Sequence, residues 1–226
     1  MKGYFITGTD TEVGKSLCAA GLLAAFKQHG LSTIGMKPVA SGCEETPEGL
    51  RNEDALLLIQ HMTAEANYEE VNPYAFMPPM APHLAAARVG LTINSESLIE
   101  QAKQLSERAE RIVIEGAGGW LAPLNETQSF ADLAVELDVP VILVVGIRLG
   151  CLNHALLTYE NMRQRGVTVA GWIANTGLAE ANDCMDITEN IATLESRIPE
   201  PLLGTLPRIE NQQIDKVARL INIANL

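Results

Sequence analysis

The chain has 226 residues, 47% of them apolar and 19% charged, with Lys+Arg 16 against Asp+Glu 28 and a net charge of −12. That is an ordinary globular composition, large enough for a sizeable core, and its acidic balance argues against nucleic acid or an anionic membrane as the main partner. Cys18, Cys43, Cys151 and Cys184 lie far apart with no CxxC, which points away from a zinc site or disulfide framework and towards reduced thiols in a cytoplasmic protein.

In chain order, Tyr4–Thr7 reads as a first strand. It starts so close to Met1 that no signal peptide is expected, and no apolar run approaches the roughly 20 residues that span a bilayer. The run Phe5-Ile-Thr-Gly-Thr-Asp-Thr-Glu-Val-Gly-Lys-Ser16 follows, then an apolar helix from Lys15 to about His29, with Gly30 fitting the position just past its end. Ser32–Pro38 is a second strand. Further strands are predicted at Arg111–Glu115, Pro140–Val145, Val169–Ala174 and Leu202–Leu206. Val141–Val145 is apolar throughout rather than alternating, as in a strand buried on both faces of a parallel sheet. Helices are expected at about 53–61, 95–109, 129–138, 152–165, 181–196 and 213–224, with Ser129 and Asp132 as an N-terminal capping pair. Asn72–Pro82, with four prolines, reads as a loop over the ligand face, Pro82 opening the helix after it. No linker or repeat interrupts this order. Residues 1–226 are therefore expected to form a single α/β domain with a mostly parallel sheet and helices on both faces, binding ligands at the carboxyl ends of its strands.

Those strand ends carry the chemistry. The Gly8–Ser16 segment has the layout of a phosphate-binding P-loop between strand and helix. Backbone amides of Glu12, Val13, Gly14, Lys15, Ser16 and Leu17 would face phosphate oxygens, Lys15 would neutralise them, and the Ser16 hydroxyl would join a Mg²⁺ shell. Five residues rather than four separate Gly8 from Gly14, and they include Thr9, Asp10 and Thr11. Lys37 ends the second strand, with Ser41 close behind; a second cation opposite Lys15 would stabilise charge on a transferring phosphoryl group or an anionic co-substrate. Asp54 sits at a helix start, where it could bind metal or only complement the helix dipole. Glu115 ends an apolar strand where a metal-binding carboxylate is expected, and Gly116, Ala117 and Gly118 after it let backbone amides approach a ligand. Gly150, Cys151, Leu152 and Asn153 open a helix whose free amides suit a carboxylate. Asn175 and Thr176 end the fifth strand.

This set resembles the dethiobiotin synthetase family of P-loop enzymes. The resemblance rests on Gly8–Ser16, Lys37-Pro-Val-Ala-Ser-Gly42, Asp54, Glu115–Gly119, Val145–His154 and Asn175, spanning residue 5 to about 207. It implies a homodimeric ligase that converts 7,8-diaminononanoate, CO₂ and MgATP to dethiobiotin through a carbamate and a carbamic-phosphoric anhydride. By the resemblance, Lys15 and Lys37 would hold the γ-phosphate and carbamate, and Thr11 and Ser41 would bond the carbamate or diamine. Ser16, Asp54 and Glu115 would bind Mg²⁺, with serine standing where threonine is usual. Asn175 would read the adenine edge, with Thr176 and Pro207 nearby, and Gly150–Asn153 would hold the substrate carboxylate across the dimer interface. The alternative is a nucleotide-switch ATPase of the partitioning and septum-positioning class, whose loops carry an extra lysine where Thr9, Asp10 and Thr11 stand here.

Overall fold

In the computed structural model, which describes residues 1–178, 187–209 and 213–226, continuous apolar runs become central strands. Strands β1 (Gly3–Gly8), β2 (Thr33–Met36), β3 (Val39–Ser41), β4 (Glu44–Thr46) and β5 (Gly49–Arg51) precede β6 (Tyr74–Phe76), β7 (Arg111–Glu115), β8 (Val141–Gly146), β9 (Val169–Asn175) and β10 (Leu202–Leu206). Helices α1 (Lys15–Gln28), α2 (Glu53–His61), α3 (Tyr68–Val71), α4 (Pro82–Arg88) and α5 (Ser95–Ser106) are followed by α6 (Phe130–Leu137), α7 (Cys151–Gln164), α8 (Ile187–Glu195) and α9 (Ile214–Leu220).

The main sheet runs β10-β9-β8-β1-β7-β2, and every pairing in it is parallel. β1 lies between β7 and β8, so the chain crosses to either side of it. Crevices at the carboxyl ends of strands where the winding reverses are where open α/β sheets bind ligands. Alternate side chains feed two cores. Phe5, Ile112, Ile114, Leu143 and Val145 pack on one face; Tyr4, Ile6, Val113, Ile142 and Val144 pack on the other. That two-sided burial is why these strands lack polar alternation.

The predicted strands and most of the helices appear within a residue or two. The helix expected at 213–224 is shorter: α9 ends at Leu220, and a 3₁₀ turn covers Ile223–Asn225. Part of the helix predicted over 181–196 lies outside the described residues, as does Cys184; α8 accounts for its end. The segment read as a loop at Asn72–Pro82 contains β6, which pairs in parallel with β3. Three-residue strands have too little length to show a period, so this small second sheet left no signal. Pro82 opens α4 and Ser129 with Asp132 caps α6, as the sequence indicated. Among the described residues no helix is long and apolar enough to cross a membrane.

Leu143 is fully buried in β8, between Thr7 of β1 and Trp172 of β9. Leu143→Ala should lower unfolding free energy by about 2–5 kcal/mol, the usual cost of a core truncation, read from the midpoint shift in urea at unchanged slope.

Candidate active site

The P-loop forms because β1 delivers the chain to Gly8 and α1 takes it up at Lys15. Gly14, at the helix start, has φ +92°, and a Cβ there would lie 2.4 Å from Asn175 Nδ2. Conformation and space both demand glycine. Asn175, buried at the end of β9, closes the loop from outside: its Nδ2 donates to Val13 O at 2.9 Å, and its Oδ1 accepts from Gly177 N at 3.0 Å. α1 itself is buried almost all round from Cys18 to Phe26. The phosphate-binding amides therefore rest on a helix that cannot shift without disturbing the core.

The charged centre lies where β1, β2 and β7 end. Glu115 is fully buried at the end of β7. Its Oε1 accepts from Ser16 Oγ at 2.7 Å and from Lys37 Nζ at 2.6 Å. Lys37, just past β2, also pairs with Asp54 Oδ2 at 2.9 Å. Asp54 is the second residue of α2, whose cap Asn52 accepts from Asp54 N and Ala55 N. Lys15 Nζ donates to Asp10 O at 2.9 Å. Lys15, Ser16, Lys37, Asp54 and Glu115 thus come together as the sequence reading placed them.

Burial governs the protonation of this cluster. Desolvation works against the Lys37 cation, but Glu115 and Asp54 outweigh it and hold its pKa above the ordinary lysine value. Burial also opposes charge on Asp54, yet the Lys37 cation keeps its pKa below the usual carboxylate range. Glu115, shut off from solvent, is pushed up by burial. Lys15 is pulled down to about 8, first by burial and then by the Lys37 charge.

A divalent cation fits here through few protein ligands. Glu115 Oε2 is buried with no hydrogen-bond partner among the described residues. No group of three or more His, Cys, Asp or Glu side chains converges among them. Two carboxylates and a serine hydroxyl are the spare donor set that suits Mg²⁺, which keeps several waters and takes oxygen from phosphates.

The remaining predicted residues lie at or just past the ends of their strands. The 115–119 loop packs on the P-loop: a Cβ on Gly119 would lie 3.6 Å from both Gly8 O and Thr9 O. Gly118 has φ +66°, and its Cβ would lie 3.9 Å from Thr11 Oγ1. Thr11 is exposed, and Ser41 is half-buried at the end of β3. Thr176 gives both its N–H and its Oγ1 hydroxyl to Leu206 O, next to exposed Pro207. Gly150 caps α7 with φ +92°. Cys151 is buried and its N–H goes to Arg148 O, whereas Gly150 and Asn153 are exposed. An Arg148–Asp10 ion pair ties this rim segment to the P-loop. Trp120 and Trp172 are core residues. The sequence reading missed Tyr68 and Asn72, which bond the backbone on either side of the charged centre.

A family model described as an AAA domain matches residues 2–214. An ATP-dependent dethiobiotin synthetase of Pseudescherichia vulneris is 50% identical over 92% of this chain and 85% of its own. One from Pseudomonas aeruginosa is 47% identical over 100% of this chain and 98% of its own. Among solved structures, the septum site-determining protein MinD of Pyrococcus horikoshii, complexed with Mg-ADP, superposes with a TM-score of 0.57 at 15% identity, covering 98% of this chain and 86% of that one. That likeness shows a shared P-loop fold.

Lys15 supplies a pH test. With a folded pKa of about 8, below the ordinary lysine value, the unfolded chain binds more protons in the window between the two. Unfolding free energy therefore rises with pH through that window. A polyphosphate beside Lys15 restores its proton, so nucleoside triphosphate binding at about pH 9 should take up protons, seen calorimetrically as a dependence of enthalpy on buffer ionisation heat. The uptake should shrink in Lys15→Met; equal uptake in both proteins would mean that another group accounts for it.

Proposed function

The chain belongs to the ATP-dependent dethiobiotin synthetase family, and from that premise we propose that it carboxylates 7,8-diaminononanoate and closes it to dethiobiotin, with MgATP and CO₂. An ATP-dependent ligase activity follows from membership. The finer assignment rests on one observation: a second buried lysine, Lys37, lies near enough for its charge to act on Lys15, between carboxylates that keep it charged.

In this reading a neutral substrate amine attacks CO₂, loses a proton and becomes a carbamate. A carbamate oxygen attacks the γ-phosphorus, the bond to ADP breaks, and a carbamic-phosphoric anhydride forms. The second amine then attacks the carbonyl carbon, phosphate leaves, and the ureido ring closes. Phosphoryl transfer asks the protein mainly for positioning and charge stabilisation. The amides of Glu12–Leu17 and the Lys15 ammonium hold the phosphates. Lys37 faces the carbamate and the γ-phosphate and offsets charge on both, which matters because a carbamate is a weak anionic nucleophile. Thr11 and Ser41 offer hydroxyls to the carbamate or diamine. Ser16, Asp54 and Glu115 would hold Mg²⁺, which when bound withdraws charge from the β- and γ-phosphate oxygens. Gly116–Gly118 amides line the phosphate side.

Asn175 Nδ2 has two N–H groups. Val13 O takes one, and the other is what Asn175 offers an adenine edge, beside Thr176 and Pro207. With the Cys151 N–H taken by Arg148 O, the amides of Gly150, Leu152 and Asn153 at the start of α7 are the ones left to suit the substrate carboxylate, reached across a homodimer interface. Leu149, 91% exposed, and Leu157 on α7 are apolar surface that a second copy would cover. Residues 1–226 act together as one P-loop unit.

The direct test is turnover with bicarbonate, MgATP and diaminononanoate, following ring-closed product. Lys37→Gln should lower kcat by roughly 10²–10³-fold, as for loss of one oxyanion contact, with the fold intact by circular dichroism. Full turnover in that variant would remove Lys37 from the chemistry. A protein that binds ATP tightly and ignores the diamine in calorimetry would instead favour a nucleotide switch.

A further inference from the structure

The backbones that carry Lys37 and Asp54 are joined by a second route besides the ion pair. Asn52, the cap of α2, donates its N–H to Tyr68 Oη at 2.8 Å. Tyr68 Oη donates to Asn72 Oδ1 at 3.0 Å. Asn72 Nδ2 donates to Lys37 O at 2.7 Å and to Tyr74 O at 3.3 Å. Lys37 N in turn donates to Val71 O at 2.8 Å. On the other side, Asn52 Oδ1 accepts from Asp54 N at 3.1 Å. With the 2.9 Å pair between Lys37 Nζ and Asp54 Oδ2, these contacts form a closed circuit.

Asn72 is 2% exposed and satisfies every polar group of its side chain inside the circuit. The Tyr68 ring is held from its face by Arg51, whose guanidinium carbon lies 4.1 Å from the ring centroid, and Arg51 also pairs with Glu69 at 3.2 Å. α3 is only one turn long, and an isolated turn does not hold itself. It is held from outside on two sides: Glu70 pairs with Arg108, while Tyr68, Val71 and Asn72 bond the Lys37 strand end, the α2 cap and Tyr74 O.

We propose that Tyr68 and Asn72 are positioning residues for the reaction, setting the separation of Lys37 and Asp54 through the backbones that carry them. This rests on the roles given above to Lys37 and Asp54. A nucleotide and its cation drawing on Asp54 and Glu115 would weaken the direct ion pair, and the Asn52–Tyr68–Asn72 route would still hold the two elements in register.

Tyr68→Phe keeps the ring under Arg51 and removes only the hydroxyl. It should lower kcat by about 10–100-fold, the scale of a small misplacement of catalytic groups, with little change in KM for ATP. It should also weaken Mn²⁺ binding in the presence of a non-hydrolysable ATP analogue by about tenfold. Because the effect runs through Lys37 and Asp54, it should vanish where they are gone: Tyr68→Phe should change kcat less than about twofold in a Lys37→Gln background, and Mn²⁺ affinity less than about twofold in Asp54→Asn. Asn72→Asp, which puts an acceptor against the carbonyls of Lys37 and Tyr74, should give the same pattern if it folds. A lowered melting temperature with unchanged kcat, or losses that multiply fully in the double variants, would overturn the proposal. Full turnover in Lys37→Gln would instead show that the site reading had failed, and the positioning role with it.

Discussion

The ammonium of Lys37 is the charge around which the active face is arranged. A cation so deeply buried is tolerated only where opposite charge and hydrogen bonds replace the lost water. The fold supplies both by ending β7 in Glu115 and starting α2 with Asp54, each within 3 Å of Nζ. These constraints propagate outward. Glu115 also takes the Ser16 hydroxyl, so the first turn of α1 is tied to the end of β7. Asp54 requires α2 to begin where it does, and α2 begins there because Asn52 caps it. Taking away one carboxylate would leave a charge with too little compensation, which is why the three side chains act as one unit rather than as separable contacts.

The same cluster separates two kinds of lysine. Lys15 is buried with a backbone carbonyl as its hydrogen-bond partner, and its proton is held loosely. Lys37 is buried with carboxylates, and its proton is held firmly. A polyphosphate gains most from the first, whose affinity for a proton rises as the anion arrives. The second carries a constant positive charge. That would suit the proposed reaction, in which the anion changes identity while the need for a cation does not.

Much of this was legible in the sequence because it sits on long apolar strands. Ile112–Ile114 and Val141–Val145 are apolar on both faces, so the strands and the polar residues that end them, Glu115 among them, stood out against the pattern. Lys37 was visible for the same reason. The small β3–β6 and β4–β5 pairs were not, since three residues carry no period. Tyr68 and Asn72 were invisible on other grounds. Tyr68 stands beside Glu69 and Glu70, Asn72 only opens a stretch read as a loop, and no spacing rule says that Tyr68 Oη meets Asn52 N across 16 positions. Asn175 was placed correctly at a strand end, but its bond to Val13 O joins residues 162 apart. Such contacts depend on how the crossovers bring loops together, and local pattern does not encode that.

The surplus residue in the P-loop can now be given a physical part. The longer loop presents Asp10 twice over. Its carbonyl accepts from Lys15 Nζ, and its carboxylate accepts from Thr11 N and pairs with Arg148. The half-exposed Arg148 pair adds little stability by itself, but it joins the nucleotide loop to the segment that opens α7 at Gly150. A shorter loop could cradle phosphate equally well and would lose that link. The extra length therefore joins the loop that carries Lys15 to the segment that leads into α7. This explains why the departure from the usual glycine spacing and the polar residues that fill it occur together.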